Sequence, residues 1–187
     1  NRAVSLDLRL KLSQNWVLSG QYIRSYTHTL NGTKRAGPAS WAELLYSGRH
    51  LSYTGHFYDV SPNFHTDLGF VPRVDVRQTD HFAGYFWRPE ESGIIAFGPV
   101  ASALVNWNHA GVVQDWNASL GFQMVFPRQT VLQLSRGEAF ELFRGIGFRK
   151  HSTAAQLDAE WLRWLTLAAR YAQGTLENYF PNPSLLP

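Results

Sequence analysis

Five side chains able to ligate a metal or move a proton lie close together in the sequence: His50, His56, Asp59, His65 and Asp67. Imidazole and carboxylate groups are the ligands of zinc and iron sites. Their spacing matches no closed metal motif. If this stretch is a strand, His50 and His56 share one face but stand about 20 Å apart along it, too far to share one ion. The chain has no Cys, so thiolate ligands and disulfides are excluded. No metal site and no cofactor is expected.

The neighbouring Ser52-Tyr53-Thr54-Gly55-His56 pairs hydroxyls with an imidazole, the elements of a hydrolase. A membrane-embedded hydrolase therefore stands as a weaker alternative. The chain has no Gly-x-Ser-x-Gly elbow to expose a nucleophile. In a strand, Thr54 and His56 point to the same polar face, which suits the lining of a lumen. Glu90-Glu91 are adjacent acids in a turn, where both are solvated. No Gly-rich phosphate loop is present. No catalytic residue is assigned, and the chain is not expected to be an enzyme.

The stretch Ser61 to Arg77 mixes aromatics, charges and two prolines. Phe64, Asp67, Phe70, Arg73, Asp75 and Arg77 are the candidates for a binding loop or a constriction. The alternative is a structural rim in which Asp67, Arg73, Asp75 and Arg77 pair with one another. Phe64, Leu68, Phe70 and Val71 are too apolar for a free loop, and Pro62 and Pro72 reduce the entropy lost on ordering. The segment is expected to pack against the rest of the protein.

The elements around this loop are strands. Val4, Leu6, Leu8, Leu10 and Leu12 alternate with Ser5, Asp7, Arg9 and Lys11, which gives one greasy and one charged face. Later strands are read at Trp16–Tyr26, Trp41–Tyr46, about His50–Phe57, Val74–Trp87 and Ile94–Trp107. Four more follow at Asp115–Phe126, Thr130–Ser135, Ser152–Trp161 and Leu165–Tyr171. Ser13-Gln14-Asn15, Ser47-Gly48-Arg49, Arg88–Gly93, Pro127-Arg128-Gln129 and Leu162-Arg163-Trp164 are read as short turns. Thr27–Ser40, Asp59–Arg73 and Gly137–Gly147 are read as long loops, with the short Asn108–Gly111 as the exception. Short and long connections alternating between amphipathic strands predict an all-β, antiparallel, up-and-down transmembrane β-barrel with about ten strands visible.

Composition agrees with that class. Charged residues make up 17% of the 187 residues, against about 25% in typical soluble domains. There are seven Trp, and Trp16, Trp87, Phe126, Trp161 and Trp164 flank the short turns, as an interfacial girdle requires. Trp41, Trp107 and Trp116 are placed near the other rim. The net charge of +3 is too mild to argue for nucleic acid. No apolar run reaches the about 18 residues of a membrane helix. Asn1 opens almost directly in a strand and Pro181–Pro187 reads as a loop. Residues 1–187 are therefore read as a single barrel segment, an internal part of a longer protein and of a larger barrel.

Asp67-Leu68-Gly69-Phe70-Val71-Pro72-Arg73-Val74-Asp75, preceded by Asp59-Val60-Ser61-Pro62-Asn63-Phe64, resembles a signature of an uncharacterised bacterial family. Its members join an amino-terminal module like the family-nine carbohydrate-binding domains to a carboxy-terminal outer-membrane barrel. The Asn1–Thr27 hairpin and Tyr85-Phe86-Trp87-Arg88-Pro89-Glu90 also look like that barrel. The resemblance covers most of the chain and carries over no catalytic residue. It implies a bacterial outer-membrane location, with outer-membrane lipid, glycans and the amino-terminal carbohydrate-binding domain of the same parent chain as partners. The function expected is non-enzymatic passage or surface binding of glycans or other polymers. The alternative is a soluble all-β carbohydrate-binding module that stacks exposed Trp residues on sugars.

Overall fold

The computed structural model describes residues 2–28, 32, 34–66, 71, 73–90, 92–162 and 164–177, with the backbone alone of Trp161. Ten strands form one antiparallel sheet in sequence order. They are β1 (Arg2–Lys11), β2 (Trp16–His28), β3 (Lys34–Ser47), β4 (Leu51–Val60) and β5 (Val76–Tyr85). β6 (Ala96–Trp107), β7 (Val113–Phe126), β8 (Thr130–Phe143), β9 (Ile146–Leu162) and β10 (Leu165–Gly174) complete it. Among the described residues there is no helix, each strand contacts only its sequence neighbours, and β1 does not pair with β10. The fold is thus all-β and up-and-down, and the sheet is open between its first and last strands.

The register places directly opposed residues on one face. Leu8, Gly20, Ala42 and Phe57 share a cross-strand row, as do Leu10, Leu18, Leu44 and Gly55. Leu120 and Phe122 of β7 continue the same face through Ala101 and Pro99 of β6. This face is apolar and uncovered: Leu6 is 71% exposed and Leu120 65%. The buried apolar residues among those described are only Phe64, Ala96, Val100 and Ala159. A two-layer sandwich would bury this face; here no described residue lies over it in a second layer.

The rows climb steeply across the sheet. The row that begins at Trp16, the first residue of β2, runs through Tyr46, Tyr53, Ala83, Ala101, Leu120, Arg136 and Thr153. It ends at Gln173, one residue short of the end of β10. Barrel closure demands this kind of stagger between strands.

Several elements differ from the sequence reading. β3 begins at Lys34 rather than Trp41, and β8 runs on to Phe143 through the stretch read as the Gly137–Gly147 loop. Only Arg144 and Gly145 separate β8 from β9. Conversely, β5 stops at Tyr85 and β6 starts at Ala96, with a single bridge from Trp87 to Phe97 between them. The expected parity of short and long connections therefore fails. Gly, Glu and Arg in GEAFELFRG suggested a loop, but cross-strand pairing with β9 overrides weak local propensity. Trp41 belongs to the polar face, opposite Gln21 and Tyr58, rather than to a rim.

Two hairpin turns hold consecutive residues in left-handed backbone. Arg144 (φ 50°) and Gly145 (φ 81°) form a two-residue hairpin loop with both residues at positive φ, the twist that matches paired strands. Arg128 (φ 59°) and Gln129 (φ 50°) hold the same region without glycine. Gly145→Val is expected to lower stability by about 1–2 kcal/mol. Gln129→Gly is expected to raise it by about 0.5–1 kcal/mol, since relief of the Cβ clash outweighs the entropy of glycine. Equilibrium urea unfolding of both variants checks the two signs.

Candidate functional site

The polar face carries a continuous row of hydrogen-bonding and aromatic side chains. Asp7, Gln21, Trp41, Tyr58, Gln78, Asn106, Asp115 and Glu141 are successive register partners from β1 to β8. Gln21 donates to Asp7 at 2.6 Å, and Asn106 donates to Asp115 at 3.3 Å. In the next row, His56 stands between Glu43 and Asp80, at 3.2 and 2.7 Å from its two ring nitrogens. Farther along, the Lys150 ammonium lies 2.8 Å from Glu141 and 3.0 Å from Glu177. Period-two alternation puts these groups on one side, and their opposite charges satisfy each other across strands.

The described ends of the Ser61–Asp75 connection meet this polar face. Ser61 N–H donates to the Pro38 carbonyl at 3.0 Å, and Phe64 N–H to the Ser61 carbonyl at 3.1 Å. His65 N–H donates to Ser25 Oγ at 3.1 Å, and the Thr27 hydroxyl to the His65 carbonyl at 3.4 Å. Ser25 is 1% exposed and its hydroxyl donates to the Gly37 carbonyl at 3.3 Å. Gly37 is required at this close approach: a Cβ there would sit 2.5 Å from Phe64 N and collide with Ser61 Oγ. Phe64 is buried, 8% exposed, beside a groove of about 460 Å³ lined also by Ile23, Tyr58, Val71 and Arg73.

The far end of the connection is tied to other strands. The Arg73 guanidinium lies 3.9 Å from Asp115 of β7. Asp75, at φ 57°, accepts from the backbone N–H and Nδ1 of His109, both at 3.0 Å. Those hydrogen bonds, led by the backbone one, hold the Asp75 carboxyl below the ordinary carboxylate value. This contact therefore contributes above the ordinary carboxylate range and is lost only as pH falls through the depressed value. His109 Nε2 also lies 2.9 Å from Asp59, whose other oxygen is 3.0 Å from Arg77 Nε.

The expected set is thus placed in part. Phe64 anchors one end of the connection, and Arg73, Asp75 and Arg77 stand at the other. Asp67 and Phe70 lie outside the described residues. Among the described residues Arg73, Asp75 and Arg77 make ion pairs with Asp115, His109 and Asp59, respectively, and pairing through Asp67 lies outside those residues. His50 is not on the polar face of β4; it precedes the strand, stacks on Tyr85 at 5.9 Å and bonds the Phe86 carbonyl at 2.8 Å. The ring of His56 engages Asp80 and Glu43 rather than Thr54, and the Ser52 hydroxyl donates to the Gly84 carbonyl at 3.4 Å. Among the described residues no group of three or more His, Asp or Glu side chains could hold a metal ion.

Sequence reasoning missed Glu43, Asp80, His109, Asp115 and Lys150. Glu43 and Asp80 are separated from His56 by 13 and 24 residues, so only strand register could have joined them. Comparison with known proteins finds no matching family model, no matching curated protein and no matching solved structure.

Ser25→Ala removes a buried acceptor for the His65 amide, a loss of about 1–2 kcal/mol locally. The expected result is faster hydrogen exchange at His65 by roughly tenfold or more, with Leu44 and Phe57 amides unchanged. Uniform acceleration across all three would mean that Ser25 supports the sheet rather than the connection.

Proposed function

We propose that this chain forms wall of an outer-membrane β-barrel that is non-enzymatic and acts in the passage or surface binding of glycans or related polymers. The observation that carries this reading is the division of one sheet into two opposite surfaces. One face presents exposed Leu, Phe and Tyr side chains with no second layer, as a lipid-facing wall does. The other holds compensated charges and receives the Ser61–Asp75 connection.

Two further features support it. An aromatic ribbon follows the turn end of the apolar face: Trp16–Tyr46 at 4.8 Å, Tyr85–Trp87 at 5.0 Å, Trp87–Phe97 at 5.6 Å and Phe97–Phe122 at 6.2 Å between ring centroids. Such rings favour a membrane interface, where the apolar body and the polar tip are both accommodated. The stagger of the rows fits a tilted, closing sheet. Among the described residues the apolar face has no second layer, as a soluble lectin-like module would need, and the His56 ring bonds Asp80 and Glu43 rather than a hydroxyl.

Glycans suit the polar face on chemical grounds. Trp41 and Tyr58 are register partners amid Gln21, Gln78, Asp80 and Asn106. Aromatic rings accept the C–H faces of sugars, while carboxylates and amides accept and donate to hydroxyls. The resemblance of the Asp59–Asp75 stretch to a barrel family joined to carbohydrate-binding domains points the same way. Within a barrel, the connection anchored at Ser25 and Asp115 narrows the passage.

Membrane facing is tested by Leu120→Arg against Ser119→Arg, neighbours on opposite faces. The first is expected to cost about 2–4 kcal/mol in lipid-bilayer folding and the second much less; equal costs would remove the lipid wall. Passage is tested by current through planar bilayers. Trp41→Ala is expected to weaken oligosaccharide block by about three- to tenfold. Block that is unchanged by this substitution would contradict glycan contact on the polar face.

A further inference from the structure

The end of the sheet opposite the aromatic ribbon gathers Arg2, Arg24 and Lys34 on the apolar face of β1, β2 and β3. Register sets Arg2 beside Tyr26 and Tyr26 beside Ala36, while His28 stands opposite Lys34. Arg2, Tyr26, Thr27, His28, Lys34, Arg35 and Ala36 line a groove of about 440 Å³. No carboxylate is among these residues. Arg24, on the same face two residues before Tyr26, holds its guanidinium 5.4 Å from that ring's centroid. The salt bridges among the described residues engage Arg73, Arg77, Arg136 and Lys150, and none engages Arg2, Arg24, Lys34 or Arg35. What sets this groove apart is that Arg2, Arg24 and Lys34 gather on one face next to exposed apolar side chains.

We propose that this groove binds the phosphate-bearing headgroup of a membrane lipid. The inference rests on the membrane reading above. Guanidinium and ammonium groups are the side chains that recognise phosphate oxygens, the former with a two-pronged geometry. The amphipathic setting selects the lipid over a soluble anion. Directly beyond Arg2 on the same face of β1 lie Val4, Leu6, Leu8 and Leu10, all exposed, with Leu18 and Tyr22 beside them on β2. An acyl chain lying along this strip brings its headgroup to the cations, and Tyr26 sits between the two regions. Basic side chains at the margin of an apolar wall are placed where anionic headgroups lie.

The test uses the protein inserted in phosphatidylcholine bilayers carrying a trace of spin-labelled phosphatidic acid or spin-labelled phosphatidylcholine. Electron paramagnetic resonance reads the relative association of each with the protein. Phosphatidic acid is expected to associate several-fold more strongly. The combined Arg2→Gln, Arg24→Gln and Lys34→Gln variant is expected to lose most of that preference. An Arg9→Gln and Lys11→Gln variant, altered on the opposite face of β1, is expected to keep it. Failure of the wild-type protein to insert would overturn the membrane reading and this inference with it. Insertion without selectivity, or with selectivity unaffected by the groove variant, would overturn the headgroup site alone. Inorganic phosphate displacing the labelled lipid at millimolar concentration would show a site for the free anion instead, and overturn the lipid as its occupant.

Discussion

Lateral backbone pairing in a single layer is the constraint on which the rest of this structure depends. From β1 to β10 each strand meets its peptide hydrogen-bonding needs only through the strands beside it. Side chains then have no choice but to alternate between two faces. A register slip of one residue would move Leu8 to the charged side and Asp7 to the apolar side. The apolar face made in this way has no opposing layer among the described residues. Its exposed Leu and Phe side chains make an apolar surface of unusual extent, the feature on which the proposal of a membrane wall rests.

The polar face solves the complementary problem. Confined charges are costly unless they are paired and hydrogen-bonded. Here they are paired across strands, as in Glu43–His56–Asp80 and Glu141–Lys150. The Ser61–Asp75 connection uses the same principle at both ends. Its first part uses its own main chain, donating to the Ser25 hydroxyl and the Pro38 carbonyl and accepting from the Thr27 hydroxyl. Its last part works through ion pairs with Asp115 and His109. Phe64, within the first of these parts, is buried against the sheet.

The alternation of Val4 to Leu12, and of Trp116 to Phe126, was readable because period-two patterning is local: each residue's face follows from its neighbour's. The strand count, the all-β class and the exposure of Leu6, Leu8, Leu120 and Phe122 followed from it. So did the packing of Phe64, since an aromatic and two prolines mark a segment that does not stay in solvent. Strand ends were less readable. Gly137 to Phe143 looked like a loop because its composition is mixed, yet pairing with β9 made it strand.

Tertiary structure alone decided the partners. Register between neighbouring strands accumulates across the sheet, so the companion of a charge depends on every intervening pairing. Asp59 meets His109 across fifty positions, and Arg73 reaches Asp115 of β7. A sequence fixes which face a side chain occupies because geometry repeats every two residues. It leaves open which side chain stands opposite because that depends on hydrogen bonds made between distant segments.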